Sequence, residues 1–131
     1  MQEVIAGASS LVSTASGFSG ISGCSFLSGA SCACTGIGPE KEALQRLSSE
    51  LGVSERVEFL DFVSDMPALY RGADVVVQSS LTEGMPNVIL EAAALGVPVV
   101  ATDVGGTAEI VRDGANARLV QAGSVAQLSE G

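Results

Sequence analysis

Three consecutive β-branched residues, Val75-Val76-Val77, constrain the architecture more than any other stretch of this chain. A strand with one wet face alternates apolar and polar side chains, whereas an unbroken valine run belongs to a strand covered on both sides. Such strands occur in parallel sheets packed between helices. The same signature returns at Val97 to Ala101, where Pro98 is tolerable only near the start of a strand.

Helical patterns separate these runs. Gly38-Pro39 followed by Glu40 and Glu42 puts proline in a first turn and negative charge at the positive end of a helix dipole; Ala43, Leu44, Leu47 and Leu51 mark one face, and Gly52 a stop. Arg56 to Phe62 reads as a strand running into a loop, and a short helix from Met66 to Gly72 takes Ser64 or Asp65 as its cap. Thr107 is expected to cap a helix reaching Val111, before a strand from Arg118 to Val120 and a last helix from Ser124 to Leu128. Strand and helix alternating in this way predict a doubly wound, Rossmann-like α/β fold, with a parallel sheet and helices on both faces.

The chain divides at Gly36. Residues 36–131 hold all six basic and 14 of the 15 acidic groups. Residues 1–35 hold one charge, Glu3, with nine serines and five glycines, a serine recurring at every third position from Ser10 to Ser31. A period of three matches neither a helix nor a strand, so this low-complexity segment is expected to be a mobile tail with one strand at most, near Cys24 to Leu27. All three cysteines, Cys24, Cys32 and Cys34, fall here without Cys-x-x-Cys spacing, and the chain has no histidine. Free thiols are the expectation, with no metal site.

The net charge of −9 repels phosphate backbones, which argues against nucleic acid and anionic membrane surfaces as partners. No apolar run approaches the roughly 20 residues of a membrane span, and a cytoplasmic location is expected.

The chemistry concentrates in Ser79-Ser80-Leu81-Thr82-Glu83-Gly84-Met85-Pro86-Asn87, directly after the valine strand. Ligands of open parallel sheets bind beyond the carboxyl ends of the strands. Gly84 permits close backbone approach, Pro86 fixes a dihedral, and Asn87 is placed to cap the next helix, whose N–H groups would form an anion site. That helix, Val88 to Leu95, is apolar except at Glu91 and is therefore expected to be buried with one carboxylate inside it. Such a carboxylate needs a partner, either an arginine such as Arg112 or a polar ligand. Glu83 by itself is equally compatible with an ordinary turn-surface carboxylate.

Taken together, Gly36-x-Gly38-Pro39, Val57-x-Phe59-Leu60, Ala73-Asp74-Val75, the stretch from Ser79 to Ala92, Gly96-Val97-Pro98-Val99-Val100-Ala101-Thr102 and Val104-Gly105-Gly106 resemble the donor-binding half of retaining GT-B glycosyltransferases of the group 1, family four type. The resemblance covers residues 36–131. It implies one half of a GT-B fold, transferring a hexosyl group from a nucleotide-diphospho-sugar with retention and without a bound metal or further cofactor. It places the catalytic and sugar-hydroxyl role on Glu83, donor contacts on Gly84, Met85, Pro86 and Asn87, a diphosphate contact on Val88 and the ribose hydroxyls on Glu91. Ile37, Asp61 and Ala117 depart from the family pattern.

The family's donor-neutralising Arg and Lys have no counterpart in residues 1–35, nor its acceptor-domain histidine anywhere in the chain. The resemblance therefore implies a fragment, inactive alone, whose partners are a nucleotide-sugar and a separate acceptor domain, with self-association through the uncovered edge. Two other readings stand beside it: a non-catalytic nucleotide-sugar-binding or docking module, and a ligand-free acidic scaffold.

Overall fold

A computed structural model describes residues 10–14, 24–25, 31–35, 40–61 and 63–130. Among the described residues seven strands form one sheet: β1 (Ser10–Thr14), β2 (Cys24–Ser25), β3 (Ser31–Thr35), β4 (Val57–Leu60), β5 (Val76–Gln78), β6 (Val99–Thr102) and β7 (Ala117–Val120). In the same residues five α-helices accompany them: α1 (Lys41–Glu50), α2 (Met66–Arg71), α3 (Asn87–Ala94), α4 (Thr107–Ile110) and α5 (Val125–Glu130).

Except for the short antiparallel pair of β2 with β3, every pairing is parallel. The parallel strands run in the order β4-β3-β1-β5-β6-β7. The chain thus builds outward from β1 to β4, returns to the centre, and builds outward again from β5 to β7. The reversal lies between β1 and β5, and this doubly wound order is the one that places a ligand crevice at its switch point.

The valine runs are covered on both faces, as their composition requires. On one face Val76, Val99 and Ala101 join Tyr70, Ile89, Ala92, Val97 and Val111 in a single apolar cluster beneath α2, α3 and α4. On the other, Val77, Val100 and Val120 pack with Leu128 of α5. Successive residues along β5 and β6 therefore feed different layers, which is the pleat expressed as packing. Residues Asp65 to Gly72 behave as read: the Asp65 carboxylate accepts from Ala68 N at 2.9 Å, settling the cap on Asp65. Gly52, at φ +68°, lies just past α1. Asp61, one of the departures from the family pattern, forms an ion pair with Lys41, tying the end of β4 to the start of α1.

Four expectations are corrected. The serine-rich segment supplies β1, β2 and β3, with β1 at the centre of the sheet, in place of a tail with at most one strand. Ladder hydrogen bonds use main-chain groups, so a serine-rich strand pairs as well as a valine one once neighbours flank it. The Gly36-x-Gly38-Pro39 motif and Phe62 lie outside the described residues.

The thiols are not all free. Cys32 is a buried thiol, pushed up in pKa by that burial, but Cys34 is disulfide-bonded, and β2 brings Cys24 into register with Cys34. Neither Asn87 nor Thr107 is a cap: Pro86 and Gly106 occupy those positions, and the Thr107 hydroxyl donates back to Val104 O at 2.7 Å.

Finally, α3 is not buried all round. Ile89 and Ala92 are buried, while Leu90 and Glu91 are exposed. Replacing Ile89, which is wholly enclosed, by Ala should cost about 2–5 kcal/mol through lost burial and the cavity left behind. A urea-denaturation midpoint indistinguishable from the parent's would contradict this packing.

Candidate functional site

β5 is hydrogen-bonded to β1 on one side and β6 on the other, with Gln78 opposite Thr14 and Ala101. Beyond Gln78 the chain leaves the sheet at the switch point and must find other partners for its polar groups. Thr102, at the end of β6, supplies one: its hydroxyl donates to Ser80 O at 2.6 Å, and more weakly to Gln78 O at 3.4 Å. The next turn supplies another, for Gly106 N donates to Gly84 O at 3.0 Å.

Gly105 is required here. It stands at φ +54°, and a Cβ on it would lie 1.9 Å from Glu83 O, so only glycine lets the two turns come together. The loop after β5 is thus shaped from beneath by β6 and the turn that succeeds it.

Glu83 occupies the middle of this loop and is half-buried. Gln78 Nε2 and Ser80 Oγ both donate to its Oε1, each at 2.7 Å. Both donors are themselves buried, at 1% and 2% exposure. The turn-surface alternative for Glu83 is therefore set aside: the carboxylate is held.

Around it Leu81, Thr82, Gly84 and Met85 are exposed, Met85 at 56%, while Pro86 is buried and opens α3. The carbonyl of Pro86 accepts from Ile89 N at 3.0 Å and Leu90 N at 3.3 Å. Among the described residues, no backbone carbonyl accepts from the amides of Gly84, Met85, Asn87 or Val88. Four N–H groups at a loop and helix start are available to an anion.

Glu91 lies one turn further along α3. Among the described residues Glu91 is in no ion pair, so the arginine partner considered for it is not the arrangement found. The carboxylate instead lies near the fully buried Tyr70. The Tyr70 phenol is held well above its ordinary range, first by burial and then by the Glu91 charge beside it. No group of three His, Cys, Asp or Glu able to hold a metal occurs among the described residues, nor a helix long and apolar enough to cross a membrane.

Sequence reasoning missed Gln78 and Thr102 as parts of this site. The signal for Gln78 was present: an amide directly after three valines, on a strand buried on both faces, is costly unless it is hydrogen-bonded.

Residues 26–131 match the family model described as glycosyl transferases group 1. The chain belongs to this family.

Among curated relatives, it is 45% identical over 92 residues to the D-inositol 3-phosphate glycosyltransferase of Nocardia farcinica, an alignment covering 64% of this chain and 20% of that protein. Among solved structures, Anabaena Alr3699/HepE in complex with UDP superposes with TM-score 0.66 at 37% identity, covering 68% of this chain and 25% of that one. The C-terminal domain of a group 1 glycosyl transferase, LpcC of Francisella tularensis, gives TM-score 0.61 at 31% identity over 70% of this chain and 50% of that one. The chain therefore spans a minor part of its full-length relatives and has the Rossmann-like fold of a GT-B donor-binding domain.

The steric role of Gly105 is open to direct measurement. Alanine at Gly105 or at Gly114 incurs the left-handed penalty of about 1–2 kcal/mol, but at Gly114 a Cβ meets nothing within 4 Å. Gly105→Ala should therefore be clearly the more destabilised in urea, and exchange of the Gly106 amide, which donates to Gly84 O, should accelerate in it alone. Equal midpoints would show that the two turns do not constrain each other.

Proposed function

We propose that this chain is the donor-binding part of a glycosyltransferase that moves a hexosyl group from a nucleotide-diphospho-sugar to an acceptor with retention of configuration. The observation that carries this reading is the setting of the Glu83 loop. It leaves the carboxyl end of β5 at the point where the sheet order reverses, and it ends on the N-terminus of the eight-residue α3. The Anabaena neighbour has been solved with UDP and with UDP-glucose, which supports this class of donor.

In this reading Glu83 accepts from a hydroxyl of the transferred sugar beside the reacting carbon and is the catalytic candidate. Gly84, Met85, Pro86 and Asn87 line the sugar, the Val88 amide reaches the diphosphate, and Glu91 takes the paired ribose hydroxyls in a charge-assisted bond pair. An acidic chain holds a diphosphate in this way through amide dipoles rather than lysines. No metal is part of the proposed reaction. Bond exchange at the anomeric carbon additionally needs an acceptor domain and cations for the leaving diphosphate, so the chain by itself binds donor without turning it over.

Titration calorimetry with UDP, GDP and ADP tests the reading. One nucleotide should bind, and Glu91→Ala should weaken it by about 1–3 kcal/mol, the scale of hydrogen bonds to a charged group. Binding of none of the three at millimolar concentration, with the fold intact by circular dichroism, would favour the ligand-free scaffold instead. Addition of an acceptor domain separates an enzyme half from a pure binding module, since transfer appears only in the former.

A further inference from the structure

The Glu83 carboxylate is gripped in an uneven manner. An ionised carboxylate oxygen has about two in-plane lone pairs, and Oε1 accepts from two donors, each at 2.7 Å. Among the described residues no donor reaches Oε2. The donors come from within the protein: Gln78 is fixed by ladder bonds on both sides of β5, and the carbonyl of Ser80 is tied to Thr102.

A half-buried rim carboxylate does not need this arrangement for its own sake, because water would solvate it. Burying an amide at the end of an apolar strand, by contrast, has a definite cost unless the amide is satisfied. That cost falls on the donors, and the result is a fixed orientation for one rim oxygen.

Building on the proposed donor role of Glu83, we infer that Gln78 and Ser80 are positioning residues that saturate Oε1 and present Oε2 alone, so that Glu83 accepts from a single sugar hydroxyl rather than bridging a vicinal pair. A carboxylate with both oxygens open chelates a diol; one with a single open oxygen selects one hydroxyl at a set position. Gln78 and Ser80 touch no donor in this account, and their effect on the sugar is exerted through Glu83.

The test compares UDP with UDP-glucose as probes on the full chain. The unaltered chain should bind UDP-glucose more tightly than UDP, the difference measuring the grip on the sugar. Gln78→Met, which keeps the buried volume, and Ser80→Ala should each reduce that difference by about tenfold, the value of one charged hydrogen bond, while leaving UDP affinity unchanged.

In a Glu83→Ala background the same two substitutions should have no further effect, because they act through a carboxylate no longer present. A residue with a purely structural role would lower UDP and UDP-glucose affinity together and would do so in both backgrounds; that result overturns the inference, as does a preserved difference in both single variants. If Gln78→Met fails to fold, Ser80→Ala carries the same comparison. A chain that binds neither probe overturns the donor reading and this inference with it, whereas loss of the inference alone leaves a sugar-dependent difference in the unaltered chain.

Discussion

The structure depends on one constraint: β5 is enclosed on both faces and hydrogen-bonded on both edges, so its polar main-chain groups are held in the sheet ladder as far as Gln78 and lie outside it immediately afterwards. The course of the chain beyond Gln78 is decided by which neighbours can supply partners. β6 ends in Thr102, whose hydroxyl reaches across to the Ser80 carbonyl, and the turn after β6 brings Gly106 N to the Gly84 carbonyl. The loop that carries Glu83 is therefore the product of the adjacent strand as much as of its own sequence. This explains why a glycine twenty-two residues downstream of Glu83, Gly105, has no room for a side chain.

Much of this is legible in the amino-acid sequence. The valine runs announce strands buried on both faces because consecutive β-branched side chains suit a strand that has no wet face, and Asp65 announces its own cap. The centre of the sheet is not legible. β1 and β3 lie in a segment where a serine at every third position hides any alternation, and their pairing is written in main-chain groups that composition does not report. The switch point lies between β1 and β5, so the most informative topological feature needs a strand that side-chain pattern alone assigns to a tail. The clamp on Glu83 is legible only in part: Gln78 stands out of place, but its partner can be identified only once the loop turns back over the strand end.

The departure of α3 from its expected burial has a specific cause. Its composition is apolar almost throughout, but apolar composition is not the same as enclosure. A helix laid on a sheet buries only the stripe that faces the sheet, and here that stripe is Ile89 and Ala92, with Leu90 left 42% exposed. Exposed apolar side chains are common on protein surfaces and by themselves imply no enclosure. The energetic case for Glu91, that a carboxylate inside an apolar helix must have a polar ligand, consequently falls away. Its place in the donor reading rests on position, one turn along the helix that the Glu83 loop opens, and on family membership.

The two glutamates of the loop and helix are prepared in opposite ways, and the difference bears on how such a site divides its work. Glu83 has one oxygen held by buried donors before any ligand arrives, so the entropy of ordering it is lost during folding rather than on binding. Glu91 is exposed, with the Tyr70 phenol enclosed beside it rather than an ion pair fixing its direction. Under the donor reading this division is physically sensible. A ribose diol offers two donors to one carboxylate and so orients it on arrival, whereas a single sugar hydroxyl beside a reacting carbon cannot, and the geometry must be set in advance. Rigidity is placed where the ligand supplies the least of its own.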